Sequence, residues 1–191
     1  IAAVVDELNR LTVGGRVTKI SQPEKEEIIL TIKNAGGQYR LFLSASASLP
    51  LIYLTDTNKQ SPLNAPNFCM VLRKHLQGAK ILSVTQPGLE RVVIISMEHL
   101  DEMGDMCVRN LHFELMGKYS NLILCDSNDV IIDSLKHVSG MMSSVREVLP
   151  GRAYFIPQTL EKKDALNTGY AEFVSAFAEA GQPAYKRIYS A

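Results

Sequence analysis

The sequence has no excess of either charge and no long apolar run. Its 20 lysines and arginines balance its 20 aspartates and glutamates, which gives a formal net charge of zero. No global electrostatic field therefore draws the chain to nucleic acid or to an anionic membrane, and any such binding must come from a local patch. The longest strongly apolar uncharged stretch, residues 92–97, is far too short to span a bilayer. The sequence thus predicts no membrane partner.

Cysteine is also scarce. The three cysteines, Cys69, Cys107 and Cys125, form no C-x-x-C pair and have no histidine at metal-ligand spacing. Their odd number and wide spacing argue against a disulfide framework and predict free thiols in a reducing compartment, with no bound metal. Residues 1–7 lack both the basic segment and the apolar core of a signal peptide. A cytoplasmic location is the resulting expectation.

Motifs of enzyme active sites are missing as well. The sequence contains no G-x-S-x-G, no G-x-x-x-x-G-K-[ST], no G-x-G-x-x-G and no H-E-x-x-H. The four histidines lie on different predicted elements. His112 lies next to Phe113 in a predicted strand, and we predict that it is a packed or surface residue and not a metal or substrate ligand. We therefore expect no catalytic residues, no cofactor and no small-molecule substrate.

The sequence does contain the composition of a globular domain, with 46% hydrophobic and 21% charged residues. Helical spacing of apolar residues predicts helices over 1–11 and 66–76. Alternating or β-branched runs between turn residues predict strands at 17–20, 27–33, 38–43, 51–55, 80–84, 91–98, 107–115, 121–125 and 130–134. Many short strands with two early helices predict an α+β domain built on antiparallel sheets, as a sandwich or a partly closed barrel.

The character of the sequence changes after Pro150-Gly151. Residues 157–167 are a polar linker, and residues 170–180 are rich in alanine, with Phe173 and Phe177 at helical spacing. A further helical pattern over 184–189 is cut off by the end of the chain. We therefore predict a first domain over 1–156, followed over 157–191 by a linker and the truncated start of a helical domain.

Charge is unevenly distributed along the chain. Residues 57–89 contain no aspartate or glutamate but include Lys59, Arg73, Lys74 and Lys80. A helix with Arg73 and Lys74 on its polar side can lie against a phosphate backbone. A solvated helix face explains the same residues, and composition alone favours that explanation.

Two loops combine side chains that suit a ligand. In residues 86–91 a Pro-Gly turn leads into a strand that begins with Glu90 and Arg91, and neighbours on a strand point to opposite faces. Each of these two side chains should therefore reach for a different partner. Residues 116–121 carry a cation, a phenol and an amide at a predicted hairpin tip, where a phosphate, a stacked base or plain solvent would all fit.

Six stretches of the sequence resemble, in order and spacing, the N-terminal domain of the NFACT family. These are the RqcH-type proteins of ribosome-associated quality control, also called fibronectin-binding protein A. The stretches cover about residues 11–155, and together they are a strong signal although any one of them would be weak. They are VGGRVTKI with QP (13–23), FCMVLRKHL (68–76), QPGLER (86–91), ELMGKYSN (114–121), IDSLKHV (132–138) and REVLPG (146–151).

The resemblance implies an RNA-binding domain of a factor that binds the large ribosomal subunit carrying peptidyl-tRNA. Such factors recruit alanyl-tRNA for C-terminal tailing of the nascent chain. The family's acidic–arginine pair, which is needed for tailing, falls on Glu90 and Arg91, where the family usually has aspartate at the first position. We therefore expect this domain to contact tRNA through Arg16, Arg73, Lys74, Glu90, Arg91, Lys118 and Asn121.

The resemblance also implies a fold similar to the N-terminal domain of formamidopyrimidine-DNA glycosylases, with a helix-hairpin-helix domain beginning at 157. The terminal proline nucleophile and glutamate of those glycosylases have no counterpart in Ile1-Ala2-Ala3, so glycosylase activity is not expected. The older family name raises an alternative function, a surface adhesin that binds fibronectin. The lack of a signal peptide, an anchor motif and disulfides argues against adhesion as the primary role.

Overall fold

The computed structural model of the protein describes residues 1–101, 103–157 and 167–179. The chain divides into two compact units, Ile1–Phe155 and Ile156–Ala191. In the second unit a helix spans Tyr170–Glu179, where the sequence pattern predicts one. The predicted helix over 184–189 and most of the predicted linker lie outside the described residues, and a helix-hairpin-helix domain stays a prediction. No helix in the described ranges is long and apolar enough to cross a membrane.

The described residues of the first unit form two α-helices and nine strands, which confirms the predicted α+β class. The helices are α1 (Ala2–Thr12) and α2 (Asn67–Leu76). A short 3₁₀ turn over Gly117–Tyr119 replaces the predicted hairpin tip. The strands are β1 (Arg16–Ser21), β2 (Glu27–Asn34), β3 (Gly37–Ser44), β4 (Leu51–Leu54), β5 (Lys80–Thr85), β6 (Val92–Leu100), β7 (Met106–Glu114), β8 (Asn121–Cys125) and β9 (Ile131–Ser134).

All nine strands belong to one antiparallel sheet in the order β4-β3-β2-β1-β5-β6-β7-β8-β9. Two meanders, β1–β4 and β5–β9, therefore join through their first strands, and β4 and β9 are the open edges. Beyond β9, the Lys136 ammonium donates to the Ala45 carbonyl at 2.6 Å and lies 2.8 Å from the Glu26 carboxylate. These contacts tie the β9 end of the sheet to the β2–β3 end without closing it through strand pairing.

The two meanders are built alike. Residues 14–23 (GGRVTKISQP) and 78–87 (GAKILSVTQP) lead into β1 and β5, each beginning with a glycine at a φ of 81°. The N–H of each of these two glycines donates to a carbonyl in the other stretch, at 2.9 and 2.8 Å. Both strands carry a β-bulge between their second and fourth residues. The first unit is therefore an approximate two-fold repeat that relates β1 to β5 and α1 to α2.

Each helix is hydrogen-bonded to the first strand of the other meander. The Asn9 side chain on α1 donates to the Val84 carbonyl of β5 and accepts from its N–H. The Arg73 Nε on α2 donates to the Ile20 carbonyl of β1 at 3.0 Å. Ile20 and Val84 are equivalent in the repeat, so the two helices are held in the same way over one continuous apolar core.

A second buried layer covers the outer face of the sheet at β7. The strap, which we define as residues 138–155, lies there and is closed at its base by the Val138–Val148 bridge. Leu111 and Phe113 belong to the main core, so the alternating His112 and Glu114 point the other way. Both are nonetheless buried, at 2% and 1% exposure, because the strap covers them. His112 is thus a packed residue.

Candidate functional site

The turn between β5 and β6 presents Glu90 and Arg91 to solvent. Pro87 and Gly88 form the turn: Gly88 has a φ of 50°, a backbone conformation that favours glycine, and the Glu90 N–H donates to the Pro87 carbonyl at 2.9 Å. The Gln86 side chain also donates to the Glu90 carbonyl, at 2.8 Å. The backbone is therefore fixed, whereas the side chains of Glu90 and Arg91 are exposed and form no ion pair with each other.

The connection between β7 and β8 lies directly beside this turn. The Leu115 N–H donates to the Arg91 carbonyl at 2.8 Å, and the 3₁₀ turn begins two residues later. There Lys118 lies with its Nζ 4.8 Å from the centre of the Tyr119 ring, and the Tyr119 side chain is 70% exposed. We call Glu90, Arg91, Lys118 and Tyr119 together the turn surface.

The chemistry of the turn surface suits a polar, anionic and partly aromatic ligand. Arg91 offers a planar fork of N–H donors, and Lys118 offers a second positive charge. Glu90 offers a carboxylate acceptor, and the open Tyr119 ring offers a stacking platform. A nucleotide combines the matching groups: a phosphate, hydroxyls, amines and a flat base.

Arg16, Arg73 and Lys74 form a separate group near the C-terminal end of α2. The Arg16 Nη1 donates to the Gly78 carbonyl at 3.0 Å, and Arg73 is half-buried because its Nε bonds to the Ile20 carbonyl. Arg16 lines a hollow of about 240 Å³, and Lys74 lines one of about 400 Å³. His99 and Leu100 line both hollows, so Arg16 and Lys74 border one continuous concave surface.

Strand β6 separates the two groups. The turn surface lies next to Val92, at the start of this nine-residue strand, and the hollows lie around Leu100, at its end. At about 3.3 Å per residue these ends are roughly 26 Å apart. Six of the seven residues expected from the sequence therefore occupy two distant places and not one site.

Asn121 belongs to neither group. Its side chain is buried, donates to the Lys136 carbonyl at 2.8 Å, and accepts from the N–H groups of Leu122 and Lys136, both at 2.9 Å. These bonds join β8 to the segment after β9. The polarity of Asn121 thus serves the fold, and its place at a predicted exposed tip does not agree with the structure.

A buried charge cluster that sequence reasoning missed lies under the strap. Both carboxylate oxygens of Glu114 accept hydrogen bonds from Nη2 of Arg146, and the Tyr154 hydroxyl donates to the same carboxylate at 3.0 Å. Burial and then the negative charge of Glu114 raise the pKa of the Tyr154 hydroxyl above its ordinary value. Because the cluster fastens the strap to β7, we assign it a structural role. The sequence feature that could have indicated this cluster is the single glutamate, Glu114, between the apolar residues Phe113 and Leu115.

His112 lies beside this cluster. Its ring packs against that of Tyr154 with centroids 4.0 Å apart and the ring planes tilted by 37°, and its Nε2 is 3.4 Å from the Asp129 carboxylate. Burial lowers the pKa of His112 to about 4, although the nearby charge of Asp129 acts in the opposite direction. The imidazole is therefore neutral at physiological pH.

The cysteines show no reactive or metal-binding arrangement in the part of the chain that the structure describes. All three are free thiols, and Cys69 and Cys125 are buried. Burial raises the pKa of Cys125 to about 12, with the charge of Asp129 adding to the effect, so its thiol stays protonated. Within the same described ranges no three histidine, cysteine, aspartate or glutamate side chains gather as metal ligands would.

The sequence of the chain matches known proteins over most of its length. A family model described as NFACT N-terminal and middle domains matches residues 1–189. The chain is 44% identical over 157 residues to the Rqc2 homolog RqcH of Bacillus subtilis, covering 82% of this chain and 28% of that protein. It is 24% identical over 136 residues to the human ribosome quality control complex subunit NEMF, covering 71% of this chain and 12% of that protein. This chain therefore spans well under half of these relatives.

Solved structures show the same fold. The N-terminal domain of the fibronectin-binding protein PavA from Streptococcus pneumoniae superposes with a TM-score of 0.89 at 34% identity, covering 99% of this chain and 71% of that one. The fibrinogen binding protein from Staphylococcus aureus superposes with a TM-score of 0.86 at 32% identity, covering 98% and 65%.

Family membership follows from these matches together. The family model covers residues 1–189, and the identity of 44% to the Bacillus subtilis relative extends over 157 residues, 82% of this chain. The nine-stranded open sheet is the architecture shared with the solved relatives. This chain is a member of the NFACT family, and it corresponds to the N-terminal part of the longer RqcH proteins.

Proposed function

We propose that this chain is the RNA-binding N-terminal domain of a ribosome quality control factor, and that it contacts tRNA through the turn surface. The observation that carries the proposal is the state of Glu90 and Arg91, which are exposed on a fixed turn and are not paired with each other. Two opposite charges that are held apart in this way are available to a ligand. The match of QPGLER to the family's acidic–arginine pair supports the same assignment.

Each group of the turn surface has a role in this proposal. Arg91 donates charge-assisted hydrogen bonds to a phosphate or to a base edge, and Lys118 adds charge. Glu90 accepts from a base amine or from a ribose 2′-hydroxyl, and Tyr119 stacks on an unpaired base. No general base is needed, because the aminoacyl ester of a charged tRNA is already activated and the ribosome supplies the transfer centre.

The wider function extends to the whole protein. We propose that the full-length factor binds the large ribosomal subunit with its peptidyl-tRNA in the cytoplasm and recruits alanyl-tRNA for C-terminal tailing. The names of the relatives, Rqc2 homolog RqcH and ribosome quality control complex subunit NEMF, support this function. The domain described here would supply tRNA contacts, with the remainder of the longer protein supplying others.

Arg91→Gln is expected to abolish or strongly reduce alanine tailing by the full-length protein while leaving the fold intact. The side chain is exposed, so the free energy of unfolding should change by no more than about 0.5 kcal/mol. Mass spectrometry of the C-termini of stalled nascent chains measures tailing, and thermal unfolding measures stability. The matched control is Arg10→Gln, which removes an exposed arginine that forms an ion pair with Asp6 on α1.

Normal tailing by a stable Arg91→Gln protein would remove the turn surface from the mechanism. Loss of tailing by Arg10→Gln as well would mean that total positive charge matters and not this site. A large loss of stability in Arg91→Gln would show that Arg91 supports the fold. Glu90→Asp, which restores the usual family residue, should keep tailing, whereas Glu90→Gln should lose it.

A second candidate function is fibronectin binding. It is suggested by the name of a solved relative, the fibronectin-binding protein PavA. Such binding would use protein–protein contacts and would not depend on Arg91. Surface plasmon resonance of the 191-residue chain over immobilised fibronectin tests it, with Arg91→Gln as the comparison. Equal saturable binding by both proteins would support adhesion as a separate activity. No binding by either would exclude it for this chain.

A further inference from the structure

A row of charged side chains crosses four neighbouring strands on the outer face of the sheet. The register places Lys33 of β2 opposite Arg16 of β1, Arg16 opposite Lys80 of β5, and Lys80 opposite Glu98 of β6. Opposed residues of an antiparallel pair share one face, and their Cβ atoms lie about 4.5–5.5 Å apart. We call these four residues the charged row. It carries three cations and one anion.

The internal repeat makes the two halves of the charged row comparable. Arg16 is equivalent to Lys80, and Lys33 is equivalent to Glu98, because β1 pairs with β2 as β5 pairs with β6. In the second half, Lys80 Nζ lies 3.3 Å from Glu98 Oε1, so the pair neutralises itself. In the first half, Arg16 is opposite Lys33, which carries the same charge. Lys33 therefore occupies the position that the acidic residue Glu98 has in the second half.

The pairing of Lys33 with Arg16 does not itself stabilise the fold. Like charges that are directly opposed on a sheet destabilise it, and Lys33 is exposed, so packing does not require it. One N–H of the Arg16 guanidinium donates to the Gly78 carbonyl, and its other N–H groups remain available. Lys33 forms no ion pair with another residue of the described ranges. Two cations held side by side at a cost to stability indicate an anionic ligand that is absent from the free protein.

We propose that Lys33 and Arg16 form a second binding site for the phosphate backbone of RNA, separate from the turn surface. The inference rests on the proposed RNA-binding function and adds Lys33, which lies outside the six sequence motifs, to the expected residue Arg16. Arg16 also lines the hollow of about 240 Å³ beside the row, together with Gln77 and Glu98. Glu98, the member of the row on β6, lies seven residues from Arg91, which is roughly 23 Å along the strand, and Arg16 and Lys33 lie further across the sheet on β1 and β2. One RNA molecule can contact both places.

The test is the substitution Lys33→Glu in the 191-residue chain. It places an acid opposite Arg16, as Glu98 is opposite Lys80 in the second half. Two opposite effects are expected. The melting temperature should rise by about 1–3 °C, because a like-charge pair becomes an ion pair. Affinity for unfractionated bacterial tRNA should fall by about 10-fold or more at 0.1 M salt, and the slope of log affinity against log salt should decrease by about 1.

Two further variants serve as controls. Lys25→Glu makes the same charge change at another exposed lysine, in the turn between β1 and β2 beside Glu24 and Glu26, and should leave the salt slope unchanged. Glu98→Lys makes the second half resemble the first. It should lower the melting temperature and raise the affinity for tRNA, which is the reverse of the effect of Lys33→Glu.

The outcomes separate this inference from the proposed function. If Lys33→Glu is more stable and binds tRNA as wild type does, the charged row is an ordinary surface and the inference is wrong, while loss of binding in Arg91→Gln would still support the turn surface. If Lys25→Glu weakens binding as much as Lys33→Glu, only net charge matters and the site is rejected. If the wild-type chain binds no tRNA, the proposed function itself fails for this domain.

Discussion

Replacement of Arg146 by alanine is expected to lower the free energy of unfolding by about 3–5 kcal/mol. The change leaves the carboxylate of Glu114, which is 1% exposed, buried without a counter-charge. The Tyr154 hydroxyl still donates one hydrogen bond to it but supplies no charge. The strap would also lose its attachment to β7. Urea denaturation followed by circular dichroism measures the loss as a lower transition midpoint.

Arg152→Ala is the matched control for that variant. Arg152 lies in the same strap and forms an ion pair with Glu147 at 2.9 Å, but its side chain is 63% exposed. Water and salt screen such a pair, so its loss should cost no more than about 1 kcal/mol. Replacing both buried charges, Glu114→Leu with Arg146→Leu, should cost less than Arg146→Ala because no charge is left buried. Equal small losses for Arg146→Ala and Arg152→Ala would contradict the proposed structural role of the cluster.

Lowering the pH from about 6.5 to about 4 is expected to remove up to about 3 kcal/mol of stability through His112 alone. Burial holds the pKa of His112 at about 4 in the folded protein, below the ordinary value of 6.5. Between these two values the unfolded chain binds a proton at this histidine and the folded chain does not. Stability is therefore fully present above about pH 6.5 and declines as the pH falls toward 4.

The measurement is the free energy of unfolding of wild type and of His112→Phe at a series of pH values between 4 and 7.5. Phenylalanine keeps a ring against Tyr154 but cannot be protonated, so subtracting its curve removes the effect of the acidic side chains. The difference in unfolding free energy between the two proteins should change with pH between about 4 and 6.5 and be constant above about pH 6.5. Tyr154→Phe should lose stability yet keep the same pH dependence. Parallel curves for wild type and His112→Phe would show that His112 does not titrate differently on folding.

The spacing of apolar and turn residues in the sequence was sufficient to predict most helices and strands of this fold. The predicted helix over 66–76 and the helix observed over Asn67–Leu76 differ by one residue, and strand β8 has the predicted bounds. These elements were predictable because their apolar spacing, their turn residues and their neighbours in the sequence all favour the same structure. The 3₁₀ turn at Gly117–Tyr119 was not predicted, since three residues carry no measurable period.

The internal repeat shows what pattern reading can overlook. GGRVTKISQP and GAKILSVTQP share few identical residues, and their likeness becomes clear once both strands show the same bulge and the same glycine φ. Arg73 was expected at an RNA surface because of its charge. In the structure its Nε donates to the Ile20 carbonyl, as the Asn9 side chain donates to the Val84 carbonyl in the other half of the repeat.

The sequence by itself determined the class of the fold, the bounds of its main elements, the family and the exposed Glu90–Arg91 turn, because each depends on residues that are close together in the chain. Tertiary structure alone decided which distant residues meet. It buried Asn121 against Lys136, brought Arg146 to Glu114, divided the expected RNA-binding residues between two places and set Lys33 opposite Arg16. The physical reason is that burial and pairing of a charged side chain depend on strand register and on the strap that covers it, and neither leaves a periodic signal in the sequence.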